Sequence, residues 1–393
     1  MLFGVAISSA PLVAALLLAD PATPIAVGPI DDELRKAFDL DPFYAQHAMA
    51  GGVPVVGSPN VRPQAIAEAA HLIGQMLADR PEMLAVLASR RGRVCVIAAT
   101  EFSSQMPEFA DQRPAAVYYD RRGRGYGNAI ACSIGEENLL HFRGDPYPTE
   151  CILIHEFAHL LDAAAFPQTV DGFDARLQAA YDAAIADGLW DGTYAATNPA
   201  EFFAELTQSW FDTNRQNDRL HNHVDTRDEL RAYDPRGAAL MAACYGDGAW
   251  RYSRADTRAA MPHLASWDFA GSPRFAWPKA LQARYDALSQ STAEAAALLA
   301  EAGVNTVALA DEPIVSSDGG ATAGLIIVNA TDGPIAADWV RNDGVAKPYG
   351  RIPAGAISAK STYAGHVWRL STVNGQPLGR VRTPPGSSRV VVE

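Results

Sequence analysis

The stretch ILIHEFAHLLDAAAF, residues 152–166, decides how this chain is read. His155 and His159 stand four positions apart, so on a helix they share one face, one turn apart. Two imidazoles at that spacing can bind a single Zn²⁺ at ~2.0–2.1 Å each. Glu156 follows the first of them and reaches the flank of such a site. It would act there as general base on a water whose pKa the metal lowers. The flanking residues Ile152, Leu153, Ile154, Phe157, Ala158, Leu160 and Leu161 are apolar nearly all round, which predicts a buried helix. Two histidines and a glutamate buried together without a metal would be costly, so a chance match on a core helix is the weaker reading.

A catalytic zinc needs a third protein ligand and an open position. No further histidine follows at the usual spacing, since residues 160–166 read LLDAAAF. The candidate is Glu201, in the run NPAEFFAE at residues 198–205. Asn198 and Pro199 predict a helix start, N-cap then first turn. Glu201 and Glu205 are one turn apart on that helix. One can ligate while the other accepts a hydrogen bond from a ligating histidine. Phe202, Phe203, Leu206 and Trp210 leave little of the helix solvated, which favours ligation over an exposed acidic face.

HEFAHLLD followed by YAATNPAEFFAELTQ resembles the catalytic domain of anthrax lethal factor and the related clostridial Pro-Pro endopeptidases. The resemblance covers mainly residues 150–212. It implies a mostly helical, zincin-like metallopeptidase domain over residues 30–304. It also implies Glu201 as third zinc ligand, Glu205 as the later glutamate of the motif, and Tyr194 as the tyrosine that assists at the carbonyl oxygen. A hydroxyl in that place would stabilise the oxyanion as a tetrahedral species forms. The remaining histidines carry less weight: His221 and His223 alternate and read as a solvated loop, and His47, His71, His141 and His263 stand alone.

After residue 302 the character changes to short strand-like runs between Gly, Pro, Asn and Asp turns, which predicts an all-β module over 312–393 behind a linker at 311–321. Within it LIIVNAT, WVRNDG, KPYG and STYAGHVWRL resemble the β domain of the von Hippel–Lindau tumour suppressor. That resemblance implies a β-sandwich and a hydroxyproline pocket of Trp339, Tyr349, Thr362, His366 and Trp368. Aromatic walls suit a pyrrolidine ring, and its hydroxyl needs a hydrogen-bonding pair. The competing expectation is that Trp339, Tyr349 and Trp368 are core aromatics. The fold expected is thus multidomain α+β. The partner expected is a protein or peptide, proline- or hydroxyproline-rich, such as a collagen-like or cell-wall glycoprotein chain. A catalytically silent binding protein on a peptidase scaffold is the alternative.

The bulk numbers fit. The chain has 393 residues, 45 acidic against 32 basic, for a net charge of −13. At roughly 150 residues per domain the length suggests two or three domains. Without a Lys/Arg-rich run, nucleic acid and anionic membranes are poor partners. Residues 2–19 are almost wholly apolar and read as a secretory signal, residues 1–22, with export to the medium or periplasm. No Lys or Arg precedes the run, which leaves a misassigned start or a buried N-terminal helix open. No later run is long enough to span a membrane. Cys95, Cys132, Cys151 and Cys244 permit two disulfides in an exported chain, in any of three pairings, with Cys132–Cys151 mildly favoured. The helical patterns at 65–78, 149–165, 200–211, 235–244 and 281–301, the buried strand at 93–98 and the loop chemistry at 120–150 complete the outline.

Overall fold

A computed structural model describes residues 25–311 and 314–393. The apolar lead read as a signal lies outside the described residues. The fold is mixed α+β. Among the described residues no helix is long and apolar enough to cross a membrane.

The first part is built on a six-stranded sheet. Its strands are β1 (Gly28–Pro29), β2 (Gln46–Ala50), β3 (Val53–Gly57), β4 (Arg93–Ile97), β5 (Gly125–Gly127) and β6 (Ala131–Gly135). The order is β1-β2-β3-β4-β6-β5, parallel across β3, β4 and β6 and antiparallel elsewhere. Gly51 and Gly52, both at positive φ, close the β2–β3 hairpin in two residues, the turn that the twist of paired strands favours. Helix Pro63–Met76 buries Ile66, Leu72 and Ile73 in the same core as Val55, Val94 and Ile134. Helices Ile152–Ala164, Pro199–Trp210 and Pro235–Tyr245 join that core through Leu153, Phe157, Phe203, Leu206 and Met241.

Several expectations are corrected. The stretch 120–150 is not simply loop: it holds β5, β6 and the short helix Glu136–Leu139. β6 is a fully buried five-residue strand, too short to show a pattern, and β5 is two glycines around a tyrosine. The helix expected over 281–301 is two, Lys279–Ala287 and Ala293–Glu301, because Thr292 caps a fresh N-terminus by accepting from the Ala295 amide. The disulfides are absent: all four cysteines are free and buried, including Cys132 and Cys151. Each serves as a small apolar residue in the core.

The C-terminal part has two four-stranded sheets. Its strands are β7 (Val304–Thr306), β8 (Thr322–Asn329), β9 (Ile335–Val340), β10 (Ala346–Ile352), β11 (Ile357–Tyr363), β12 (Val367–Thr372), β13 (Pro377–Arg382) and β14 (Gly386–Val392). One sheet runs β10-β9-β12-β13 and the other β11-β8-β14-β7. Leu325, Ile327 and Val390 of one meet Ile335, Trp368, Leu370 and Val381 of the other in a single apolar cluster. The sheet structure begins upstream of residue 312, since β7 pairs in parallel with β14. The segment read as a linker is tied down: Ser316 bonds the Val340 carbonyl and accepts from the Val367 amide at 2.8 Å.

The two parts share a third cluster. Ala115, Val117 and Tyr118 from the first part pack with Leu288, Leu299 and Ile326. β8 passes so close that a Cβ on Gly324 would lie 2.9 Å from the Ala115 backbone nitrogen. The Tyr118 hydroxyl donates to the Ile357 carbonyl at 3.2 Å, and Ser361 donates to the Asp111 carbonyl at 3.1 Å. The buried Arg389 guanidinium donates to the carbonyls of Ala287, Leu288 and Gln290. All three lie at or just beyond the end of helix Lys279–Ala287, where carbonyls run short of intrahelical donors.

Candidate metal centre

The histidine helix, Ile152–Ala164, starts deep in the protein and has no capping side chain of its own. Its first free amides are met from elsewhere: Cys151 N–H donates to Thr213 Oγ1 at 2.8 Å and Ile152 N–H to Asn138 Oδ1 at 3.0 Å. The glutamate helix, Pro199–Trp210, is capped as its sequence predicts, Asn198 Oδ1 accepting from the Glu201 amide at 2.9 Å. The two helices pack side by side, so His155, His159 and Glu201 converge.

His155 Nε2 lies 3.2 Å from His159 Nε2 and 3.2 Å from Glu201 Oε2, and His159 Nε2 lies 3.3 Å from the same oxygen. Ligands about 2.0–2.1 Å from a tetrahedral ion stand about 3.3 Å apart. The triangle therefore has the edge length of three corners of such a site, and the group can hold a metal ion. Its electrostatics agree. Burial opposes charge on His155, yet the Glu201 hydrogen bond and the nearby glutamates outweigh it and lift its pKa to about 10. Burial likewise opposes charge on Glu201, but the two histidines hold its carboxyl far below the ordinary range. The site is set up for a positive charge at its centre.

The far side of His155 fixes its tautomer. Its Nδ1 lies 2.9 Å from Gln208 Oε1, an acceptor, so Nδ1 carries a proton and Nε2 is the nitrogen at which a metal ion could replace one. Gln208 Nε2 donates onward to Glu150 at 3.0 Å, and Arg215 closes the chain on Glu150 at 3.2 Å. Glu205, expected behind a ligating histidine, stands 3.5 Å from the same Nδ1. It faces His221 at 3.4 Å, and Asn214 donates to it at 3.2 Å. His221 is not in a solvated loop: it is buried, with Asp218 at 2.8 Å, because residues 217–222 fold back on themselves. Gln208 was legible in principle, since Glu201, Glu205 and Gln208 recur at helical spacing. His221 and Glu150 reach the site only through long-range folding.

Glu156 lines the cavity over the triangle with Tyr194 and the edge strand β5. Burial pushes the Glu156 carboxyl up and the two histidines pull it down, with the upward push larger. The Tyr194 ring stacks 6.2 Å from that of His155, and burial followed by the Glu201 charge raises its hydroxyl pKa. Gly125 and Gly127 are needed because the histidine helix passes directly beneath β5. A Cβ on Gly127 would lie 2.8 Å from His159 Cβ and 2.9 Å from the Glu156 carbonyl oxygen. The cavity has a volume of about 740 Å³, and Ala359 of β11 forms part of its wall.

In the C-terminal part, Trp339 and His366 line a second cavity of about 290 Å³ with Ser316, Asn342 and Tyr363. Thr362 Oγ1 lies 3.0 Å from His366 Nδ1, and the His366 ring packs on Trp339 at 5.0 Å. Tyr349 and Trp368 pair with each other at 5.1 Å and do not line that cavity. Trp368 is core and Tyr349 is exposed. Comparison with family models and with curated proteins returns no match for this chain.

Proposed function

We propose that the chain is a zinc-dependent peptidase with a zincin-like catalytic part. The observation that carries this is the near-equilateral triangle of His155, His159 and Glu201 with Glu156 beside it. Two imidazoles and a carboxylate are a donor set that suits zinc. A zinc ion bound there would polarise a carbonyl and make a water acidic enough to attack it. Glu156, whose carboxyl burial pushes up, would take the proton from an attacking water and pass it to the leaving amine. Tyr194, whose ring stacks 6.2 Å from that of His155, would donate its hydroxyl to the developing oxyanion. β5 is the edge of its sheet, so an extended peptide can add to it as a further strand.

For the C-terminal sheets we propose a sandwich whose second cavity takes the ring of a proline or hydroxyproline. His366, held from behind by Thr362 Oγ1 at 3.0 Å, lines that cavity and offers a polar partner for a ring hydroxyl. Equilibrium binding of hydroxyproline- and proline-containing peptides tests it, and equal affinity for both would remove the hydroxyl from the reading. Export is proposed on the apolar lead, and a mature N-terminus near residue 20 in the medium is its check.

The decisive experiment compares wild type with Glu156→Gln on gelatin and proline-rich peptides, with metal measured by mass spectrometry. One zinc per chain in both proteins is expected, with turnover lost on substitution by a factor of roughly 10²–10⁴. Chelator-insensitive turnover, or equal turnover in the two proteins, defeats the proposal.

A further inference from the structure

The cavity over the His155–His159–Glu201 triangle carries an arginine that has no carboxylate partner among the described residues. Four arginines line it: Arg121, Arg122, Arg215 and Arg219. Arg215 is taken by Glu150 and Asp218. Arg121 is taken by the Gln282 side chain at 2.5 Å and by the Trp277 ring at 4.8 Å. Arg219 lies in an exposed loop. Arg122 ends helix Ala116–Arg122, one turn ahead of β5, and has no carboxylate partner among the described residues. A basic residue in the last turn of a helix is also a common helix-dipole partner. Arg121 and Arg122 share that part; among the described residues Arg122 has the Tyr118 hydroxyl as a neighbour and no carboxylate.

Its surroundings set its reach. Tyr118, Tyr126, Tyr147 and Tyr194 line the same cavity as Arg122. Glu156 and the His155–His159–Glu201 triangle line it too. Arg122 thus borders the cavity that holds the triangle, with tyrosines on the same wall, and it is exposed to solvent within that concave site. A planar fork of donors in such a place matches a carboxylate, which it can take with two parallel hydrogen bonds. The rest of the chain is acidic, at −13 overall, so this local cation stands out against a repelling background.

Resting on the peptidase reading, we propose that Arg122 binds a carboxylate of the peptide substrate and so sets where the chain is cut. The carboxylate comes from an Asp or Glu side chain next to the scissile bond or from the free C-terminus. In this role Arg122 holds substrate and takes no part in proton transfer.

The test uses the full-length, zinc-loaded protein and a peptide library prepared as free acids and as C-terminal amides. Peptides retained by immobilised Glu156→Gln protein are sequenced, and bonds cut by wild type are mapped. The retained pool is expected to be enriched in acidic residues, or in free acids over amides, and the enrichment is expected to disappear in Glu156→Gln/Arg122→Gln. A fixed offset between acidic residue and cut bond assigns the side chain. A fixed distance from the chain end assigns the terminus. For a matched Glu and Gln substrate pair, the ratio of kcat/KM is expected to fall roughly 10- to 100-fold in Arg122→Gln, chiefly through KM. Arg122→Lys is expected to restore part of it. No enrichment in the retained pool, or an Arg122→Gln effect equal for the Glu and Gln peptides, overturns the proposal. Retention with acidic enrichment but no cutting would leave Arg122 in place and count against the peptidase reading alone.

Discussion

Gln208 accepts from the Nδ1 of His155 at 2.9 Å and hands the interaction on to Glu150. The link orients a metal ligand from behind through a fully buried amide. Gln208→Leu removes the acceptor and leaves Glu150 one donor short. Zinc affinity is expected to fall about 10- to 100-fold, as is usual when such a supporting partner is lost. Competition with a calibrated chelator reads it directly. Unchanged affinity would mean that Glu205, at 3.5 Å, does the orienting instead.

Gly127 lies where β5 crosses the histidine helix. Gly127→Ala drives a methyl group to 2.8 Å from His159 Cβ and 2.9 Å from a backbone carbonyl, so strand or helix has to move. The expected cost is about 1–3 kcal/mol of stability. A larger fractional loss in kcat/KM is expected as well, because the displaced atoms belong to a metal ligand and to Glu156. Gly74→Ala, with open space around its Cβ, is the control and should leave both quantities near wild type.

Ile326 belongs to β8 but packs with Ala115, Val117 and Leu299. Ile326→Ala is expected to cost about 2–5 kcal/mol. The loss should appear in both parts of the chain at once. Unfolding followed by tryptophan fluorescence and by zinc release should shift together. Two separated transitions, with only one moved, would show that the shared cluster does not couple the parts.

His71, which stands alone in the sequence, packs 5.0 Å from His263 beside the buried Glu68, to which His263 and Arg258 are bonded. Burial, with His263 and Arg258 adding to it against Glu68, depresses the His71 pKa from 6.5 to about 4. Between those values the unfolded chain binds a proton that the folded one refuses, so stability falls as pH drops from 6.5 towards 4. The slope from this group is at most about 1.4 kcal/mol per pH unit. His71→Asn should be flatter than wild type across that window and parallel to it above pH 7. Chemical denaturation at several pH values provides the comparison. Parallel curves throughout would contradict it.

The helices were legible because their signals are local. His155 and His159 are one turn apart, and Asn198-Pro199 announces the helix that brings Glu201. The sheet was not, since β6 is five buried residues and β5 reads as a turn until the helix beneath it explains its glycines. Gln208 sat in plain view on the Glu201–Glu205 stripe. His221, Glu150 and Arg122 could not be placed, because what each touches is decided by loops and by packing across tens of residues. The hydroxyproline positions divide for a similar reason. The register pairing Trp368 with Trp339 puts both indoles on the core face, Trp368 fully buried and Trp339 partly, whereas a motif records only the order of residues.

Ala359 stands in the wall of the cavity over the His155–His159–Glu201 triangle although it comes from the other end of the chain. Synthesis runs from N- to C-terminus, so all three ligand residues leave the ribosome long before β11 does. Until β11 docks on Tyr118 and Tyr119, a nascent chain can gather its histidines but has no finished groove in which to seat a peptide. Completion of the polypeptide is thus a checkpoint on competence, and a prematurely terminated chain would lack part of that wall.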